Sequence, residues 1–136
     1  MLLWSPAFAT GHPAIDQQHQ TLFQRVHDLA LAIYQRHGER EMCRVLTAAS
    51  VYVEVHFRME ESLMQAAGYP HLATHRAAHA RLRAQVESLV DGYKEGRLRP
   101  TELLEFLESW LAAHVRCEDR EMAEFLRCRA EGEATA

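Results

Sequence analysis

The sequence predicts an all-α protein, an up-down-up-down antiparallel four-helix bundle preceded by an N-terminal arm. Four segments repeat apolar residues at alternating steps of three and four, and strand patterns are weak throughout. The segments are joined by short stretches that contain Gly or Pro, and such short connections favour antiparallel neighbours. With 136 residues, of which 48% are hydrophobic, the chain has the length of one domain with a proper core.

Each element follows from its local pattern. We expect an arm over residues 1–13, a bundle over about 14–128 and a frayed tail over 129–136. The arm contains Trp4 and Phe8 without helical rhythm and is expected to pack across the bundle. The helices are predicted at Ile15–Arg36, Arg40–Ala67, Leu72–Tyr93 and Thr101–Arg127.

The core-facing stripes of these helices contain seven side chains that can bind a metal. They are His19, His56, Glu60, His75, His79, His114 and Asp119. Burying imidazole and carboxylate groups costs free energy unless they are hydrogen-bonded or share a cation. A hydrogen-bonded core residue is the ordinary interpretation of one inward histidine, but seven coordinated positions favour a shared cation.

The spacing of these residues predicts a local irregularity in the fourth helix. His56 and Glu60, like His75 and His79, are four residues apart and therefore lie on one helical face. His114 and Asp119 are five apart, which predicts a π-bulge between them. The alternative is drift of a broad apolar face, since Val115 and Asp119 also keep a regular step.

The number of donors indicates two metals. Five imidazoles and two carboxylates are too many for one tetrahedral zinc, but they suit two adjacent six-coordinate metals that share both carboxylates. Imidazole-rich ligation permits iron, zinc, manganese or copper, so the donor set alone leaves the metal open.

A family resemblance narrows the choice. The motifs are Trp4, Phe8, Gly11, Ile15-Asp16-Gln17-Gln18-His19, His56-Phe57, Glu60-Glu61, Met64, Gly68-Tyr69-Pro70, His75, His79, Trp110-Leu111, His114 and Asp119. In these the chain resembles the hemerythrin family, in particular its single-domain bacterial members, the bacteriohemerythrins. The resemblance covers nearly the whole chain and fills all seven ligand positions in order.

The resemblance implies a site and its occupants. They are two non-haem irons with an oxo or hydroxo bridge, and O2 as the ligand. His75, His79 and His114 would hold one iron and His19 and His56 the other. Glu60 and Asp119 would bridge the two irons. Leu111 would belong to the O2 pocket, although ordinary core packing also explains it. The implied function is reversible O2 binding for oxygen transport, storage or delivery.

Two other classes of function stay open, oxygen or redox sensing and a di-iron enzyme acting on peroxide or nitric oxide. We expect no enzyme and assign no catalytic residue, because the core stripes carry no acid beyond the ligands. A sensor needs an output domain or a partner. We expect O2 and a protein recipient of oxygen as partners.

Composition and sequence patterns limit the partners and the cellular location that we expect for the protein. The net charge of -4 argues against nucleic acid, and no apolar run is long enough to form a transmembrane segment. The N-terminus lacks signal-peptide features, and Cys43, Cys117 and Cys128 follow no metal or redox spacing. We therefore expect a cytoplasmic protein with reduced thiols, either a monomer or a weak homo-oligomer.

Several residues are expected to stay outside the metal site or depart from the family pattern. His12, His27, His37 and His71 lie off the ligand positions, and Glu61 points about 100° away from Glu60. Met122 stands where relatives often carry Tyr, and His12 stands where an apolar residue is usual. The loss of the tyrosine hydroxyl would change the hydrogen bonds behind the ligands.

Overall fold

The computed structural model describes residues 2–135, with side chains through residue 132. It confirms the predicted four-helix architecture. The helices are α1 (Pro13–Tyr34), α2 (Glu39–Ala67), α3 (Leu72–Lys94), α4 (Pro100–His114) and α5 (Arg120–Thr135). A π-helical segment, Val115–Asp119, joins α4 and α5 into one continuous fourth helix of the bundle.

Local chemistry sets the helix boundaries. Helix α1 begins at Pro13, whose missing N–H would have no partner in the first turn, and the His12 imidazole accepts a hydrogen bond from the backbone N–H of Ile15 at 3.4 Å. Helix α2 ends at Gly68, whose φ of 69° is the left-handed conformation that suits glycine. The Tyr69 N–H then donates to the carbonyl of Met64 at 2.9 Å and satisfies a carbonyl at the helix end.

The arm packs across α1 and the fourth helix. The buried ring of Phe8 meets Phe23 edge to face, with ring centroids 4.8 Å apart. The Arg120 guanidinium donates to the carbonyl of Ala7 at 2.6 Å, and the Arg116 guanidinium lies 4.6 Å above the Phe8 ring. The carboxylate of Asp16 accepts from the backbone and hydroxyl of Thr10, which fixes the entry into α1.

The bundle forms a closed ring in which α1 contacts α2, α2 contacts α3, α3 contacts α4, and α4 contacts α1. Its apolar interior is divided in two. One cluster includes Leu22, Val26, Leu29, Leu46, Leu103 and Leu111, and the other includes Ile15, Met64, Tyr69, Met122 and Ala123. Along α1, His19 lies between Ile15 of one cluster and Leu22 of the other, so a polar layer separates the clusters.

The fourth helix continues beyond its predicted end at Arg127. The stretch predicted as a frayed tail is helical through Thr135, and residue 136 lies outside the described residues. Ala130, Glu131, Glu133 and Ala134 are strong helix formers, which explains the longer helix. None of the helices within residues 2–135 is long and apolar enough to cross a membrane.

Candidate metal centre

The seven polar side chains predicted on core faces converge in the layer between the two apolar clusters. Each is at most 4% exposed. They form two groups in which the candidate ligand atoms all lie within 4.8 Å of one another. One group is Glu60, His75, His79, His114 and Asp119, and the other is His19, His56, Glu60 and Asp119. The two carboxylates are common to both groups.

All five imidazoles direct Nε2 towards these carboxylates. Nε2 of His56 lies 3.1 Å from Oε1 of Glu60, and Nε2 of His79 lies 3.4 Å from the same oxygen. Five converging ring nitrogens around two carboxylates form a donor set suited to a dinuclear metal site.

The two carboxylate oxygens of Asp119 face different histidines. Its Oδ2 lies 2.8 Å from Nε2 of His19, whereas its Oδ1 lies 3.1 Å from Nε2 of His75 and 2.9 Å from Nε2 of His114. One carboxylate thus presents a different oxygen to each group, which is the arrangement that a bridging ligand needs.

The π-helical segment places Asp119 in this position. In a regular α-helix, a spacing of five residues would turn Asp119 about 140° away from His114, but a π turn accommodates five residues. The predicted irregularity between His114 and Asp119 is confirmed, and both side chains are buried. Drift of a regular helix is therefore not the explanation of the spacing.

Without a metal, the layer is held by charge. Burial disfavours the charged imidazole of His56, but Glu60 and Asp119 outweigh this effect and raise its pKa to about 9. The pKa of His75 rises to about 9 in the same balance. The pKa values of Glu60 and Asp119 are lowered, because facing imidazoles overcome the opposing effect of burial. The two buried carboxylates are therefore stabilised by nearby positive charge, which either protonated imidazoles or bound cations can supply.

Buried atoms without partners indicate that a cation fits. Among the described residues, neither carboxylate oxygen of Glu60 has a hydrogen-bond partner, and Oδ1 of Asp119 and Nε2 of His56 and of His75 also lack one. Leaving a buried polar atom unsatisfied costs about 1–3 kcal/mol. Metal coordination would satisfy these atoms together, so the donor set fits two cations.

Comparisons with known proteins decide the family. The model of the hemerythrin HHE cation binding domain matches residues 10–126. The chain belongs to the hemerythrin family. It is 31% identical to a bacteriohemerythrin of Stenotrophomonas maltophilia, over 91% of this chain and 80% of that protein. It is 32% identical to a bacteriohemerythrin of Methylococcus capsulatus, over 85% of this chain and 88% of that protein.

The fold agrees with a solved hemerythrin. The crystal structure of a wild-type hemerythrin superposes with a TM-score of 0.83 at 30% identity, covering 93% of this chain and 98% of that one. The family match extends over every element from α1 to the first two turns of α5. The polar layer therefore lies within the hemerythrin domain.

Three polar residues behind the ligands were not singled out by the sequence analysis for the contacts they make. His56 donates from Nδ1 to the amide oxygen of Gln18 at 3.0 Å, and His114 donates from Nδ1 to the carboxylate of Glu118. Glu61, expected to stay outside the metal site, has its carboxylate 3.9 Å from Nδ1 of His79. A sequence signal existed for Glu118, which lies four residues after His114 and so on the same helical face.

Two aromatic rings in this hemerythrin domain stack on candidate ligands and hold their orientation. Phe57 stacks on His79 with ring centroids 3.7 Å apart and planes 7° apart. Trp110 stacks on His114 with centroids 4.7 Å apart. Stacking of this kind limits rotation of the imidazoles and preserves the convergence of their Nε2 atoms.

Leu111 is buried and borders an apolar cavity of about 390 Å³. The cavity wall also includes Leu22, Val53 and Leu82. Each of these four residues lies three positions from a histidine of the layer, namely His114, His19, His56 and His79. One end of the cavity therefore lies about one helical turn from the candidate ligands, and its wall extends along α3 to Lys94.

The remaining predicted residues lie elsewhere. Neither group of candidate ligands contains His12, His27, His37 or His71. The three cysteines are free and exposed, and Cys117 faces away from the layer although it lies between His114 and Asp119 in sequence. Met122, expected as a departure from the family pattern, is fully buried in the second apolar cluster, where its thioether packs among apolar side chains.

Proposed function

We propose that this chain binds O2 reversibly at a non-haem di-iron centre and serves in oxygen transport, storage or delivery. The observation that carries the proposal is the shared pair of carboxylates. Asp119 presents one oxygen to each group of histidines, and Glu60 belongs to both groups. Such an arrangement supports two metals held side by side.

The groups divide the ligands between two irons. One iron would be held by His75, His79 and His114. The other would be held by His19 and His56, and both irons would be bound by Glu60 and Asp119. When bound, a pair of irons in the ferrous state would supply the two electrons that O2 binding needs. Neutral imidazoles contribute less negative charge than carboxylates, so this donor set stabilises high-valent iron poorly and favours binding over oxidation.

The apolar cavity supports binding of a small apolar gas. Leu22, Leu82 and Leu111 are each 1% exposed and give the end of the cavity next to the candidate ligands an apolar wall that suits a small apolar gas. Leu111 belongs to the O2 pocket in this proposal, and it excludes water from the metals while it packs in the core.

The wider setting forms part of the proposal. Residues 1–136 act as one hemerythrin-like domain that binds rather than transforms its ligand, in the cytoplasm, as a monomer or weak homo-oligomer that passes O2 to a protein recipient. Gel filtration under air and under nitrogen tests the oligomeric state. A change of state on oxygenation would favour sensing instead.

The first experiment is metal analysis combined with visible spectra of the anaerobically reduced protein, before and after O2 is added and again after its removal. We expect two irons per chain and charge-transfer bands that appear and disappear reversibly. Zinc in place of iron would contradict the proposal, as would irreversible oxidation. Sustained turnover of peroxide or nitric oxide would favour an enzyme.

A further inference from the structure

Glu118 lies next to the candidate ligand Asp119 but belongs to neither group of candidate ligands. Its side chain is 47% exposed, whereas that of His114 is 2% exposed. The carboxylate nevertheless accepts a hydrogen bond from Nδ1 of His114, so it reaches from the bundle surface to the back of a buried ligand. The π-helical segment makes this possible, because both residues that follow its middle, Glu118 and Asp119, approach the same imidazole.

The hydrogen bond determines which nitrogen of His114 is left for a metal. A carboxylate only accepts, so Nδ1 carries a proton, and Nε2 is the nitrogen that faces the layer. Nε2 lies 2.9 Å from Oδ1 of Asp119, on the side where a metal would be shared. A negative charge behind an imidazole increases the electron density that its other nitrogen offers to a metal.

Among the described residues, two other histidines have no equivalent partner at Nδ1. Nδ1 of His56 meets the neutral amide of Gln18. Nδ1 of His79 lies near Glu61, but the carboxylate of Glu61 is also 3.2 Å from Nε of Arg76, and a second cation, Arg83, is 3.6 Å away. Within residues 2–132, Glu118 has no ion pair with arginine or lysine.

We propose that Glu118 is a positioning residue that acts through His114 to stabilise the ferric state of the iron on the three-histidine side. The inference rests on the proposed di-iron function. Reduction adds one electron, Fe(III) + e⁻ → Fe(II), and the proton on Nδ1 of His114 stays in place. The negative charge of Glu118 favours the more highly charged ferric ion and so lowers the reduction potential on this side of the centre.

The test removes the negative charge of Glu118 and keeps the shape of its side chain. In Glu118→Gln the amide oxygen can still accept from Nδ1, whereas Glu118→Ala removes both charge and acceptor. Glu121→Gln is the matched control, because this glutamate follows three residues later, is 67% exposed and belongs to neither group. The iron-loaded proteins are titrated with a mediated electrode that supplies the electrons.

We expect Glu118→Gln to move the ferric–ferrous equilibrium about tenfold towards ferrous, which is about 59 mV for a one-electron step. Glu118→Ala should move it at least as far, and Glu121→Gln should leave it unchanged. An unchanged potential in Glu118→Gln, with a shift only in Glu118→Ala, would show that the side chain merely orients His114 and would overturn the proposal.

A second measurement needs neither iron nor O2. Affinity for Co²⁺, measured by competition with a chelator, should fall about tenfold in Glu118→Gln and stay unchanged in Glu121→Gln. Equal affinity in the wild type and Glu118→Gln would count against the inference. A wild-type protein that loads no iron or binds no O2 reversibly defeats the proposed function instead, so the two failures are distinguishable.

Discussion

Leu111→Ala separates the contribution of this leucine to packing from its contribution to shielding the metals. The side chain is 1% exposed and borders the apolar cavity. The substitution removes three carbon atoms, which corresponds to about 2–3 kcal/mol of lost burial at about 0.8 kcal/mol per methylene. Since one side of Leu111 already faces empty space, we expect the free energy of unfolding to fall by this amount with little additional cavity cost.

Leu104→Ala is the matched control. Leu104 lies on the same helix, is also 1% exposed, and is not among the residues that line the cavity. Its loss should create a new void and cost about 3–5 kcal/mol. Chemical denaturation of both metal-free variants measures the difference. A cost for Leu111→Ala equal to or above that of Leu104→Ala would refute the idea that the cavity borders this residue.

The functional effect should have the opposite order. Leu111→Ala enlarges the space next to the candidate ligands and admits water, so the iron-loaded variant should autoxidise roughly tenfold faster than the wild type, a loss of about 1.4 kcal/mol in the barrier. Leu104→Ala should autoxidise at the wild-type rate. Decay of the oxygenated spectrum in air gives both rates, and equal rates for the two variants would show that Leu111 does not shield the metals.

Three further predictions concern the ligand layer. His75→Ala should lower iron occupancy and abolish O2 binding, whereas His27→Ala should do neither. Metal analysis and oxygen spectra check both variants, and unchanged spectra in His75→Ala would contradict the ligand assignment. In the metal-free protein, the pKa values of His56 and His75 are raised from 6.5 to about 9. Their stabilisation is therefore full below pH 6.5 and is lost as pH rises through 9, on the order of 3 kcal/mol for each histidine. Denaturation at several pH values should show this loss, and calorimetry should show that metal binding strengthens over the same interval as protons are released. Asp119→Asn keeps the shape but removes the charge facing both groups, so it should bind fewer than two irons per chain, and full occupancy would exclude a bridging role.

The periodicity of the sequence was sufficient to predict the helices and the faces on which the candidate ligands lie. A step of four residues brings His56 and Glu60 to one face because an α-helix has 3.6 residues per turn, and burial of these positions requires that face to point inwards. The irregular step from His114 to Asp119 predicted the π-helical segment for the same reason. The one departure from regular helical spacing therefore predicted a feature of the fourth helix that the regular spacing could not.

Other features were beyond the reach of a single sequence. Glu118 and Gln18 are each next to a candidate ligand in the sequence. The spacing of residues along a helix does not show which rotamer brings their side-chain oxygens to an imidazole. The cavity next to Leu111 depends on how closely α3 approaches its neighbours, which periodicity does not determine. The continuation of α5 to Thr135 follows from the helix propensity of its residues. The prediction relied on the repeat of apolar residues, and that repeat does not continue into this stretch.

The five-residue turn also determines which sequence changes the fourth helix can accept. Substituting an outward-facing residue such as Arg116 or Cys117 leaves the chain length between His114 and Asp119 intact. Deleting one residue between them would give an ordinary turn in which the two candidate ligands, now four residues apart, still share one helical face. Inserting one residue would instead rotate all of α5 by about 100° relative to α4, and Asp119, Met122 and Leu126 would together leave their neighbours. Among natural variants of this protein, insertions should therefore be absent from residues 115–118 even where the amino acids themselves differ.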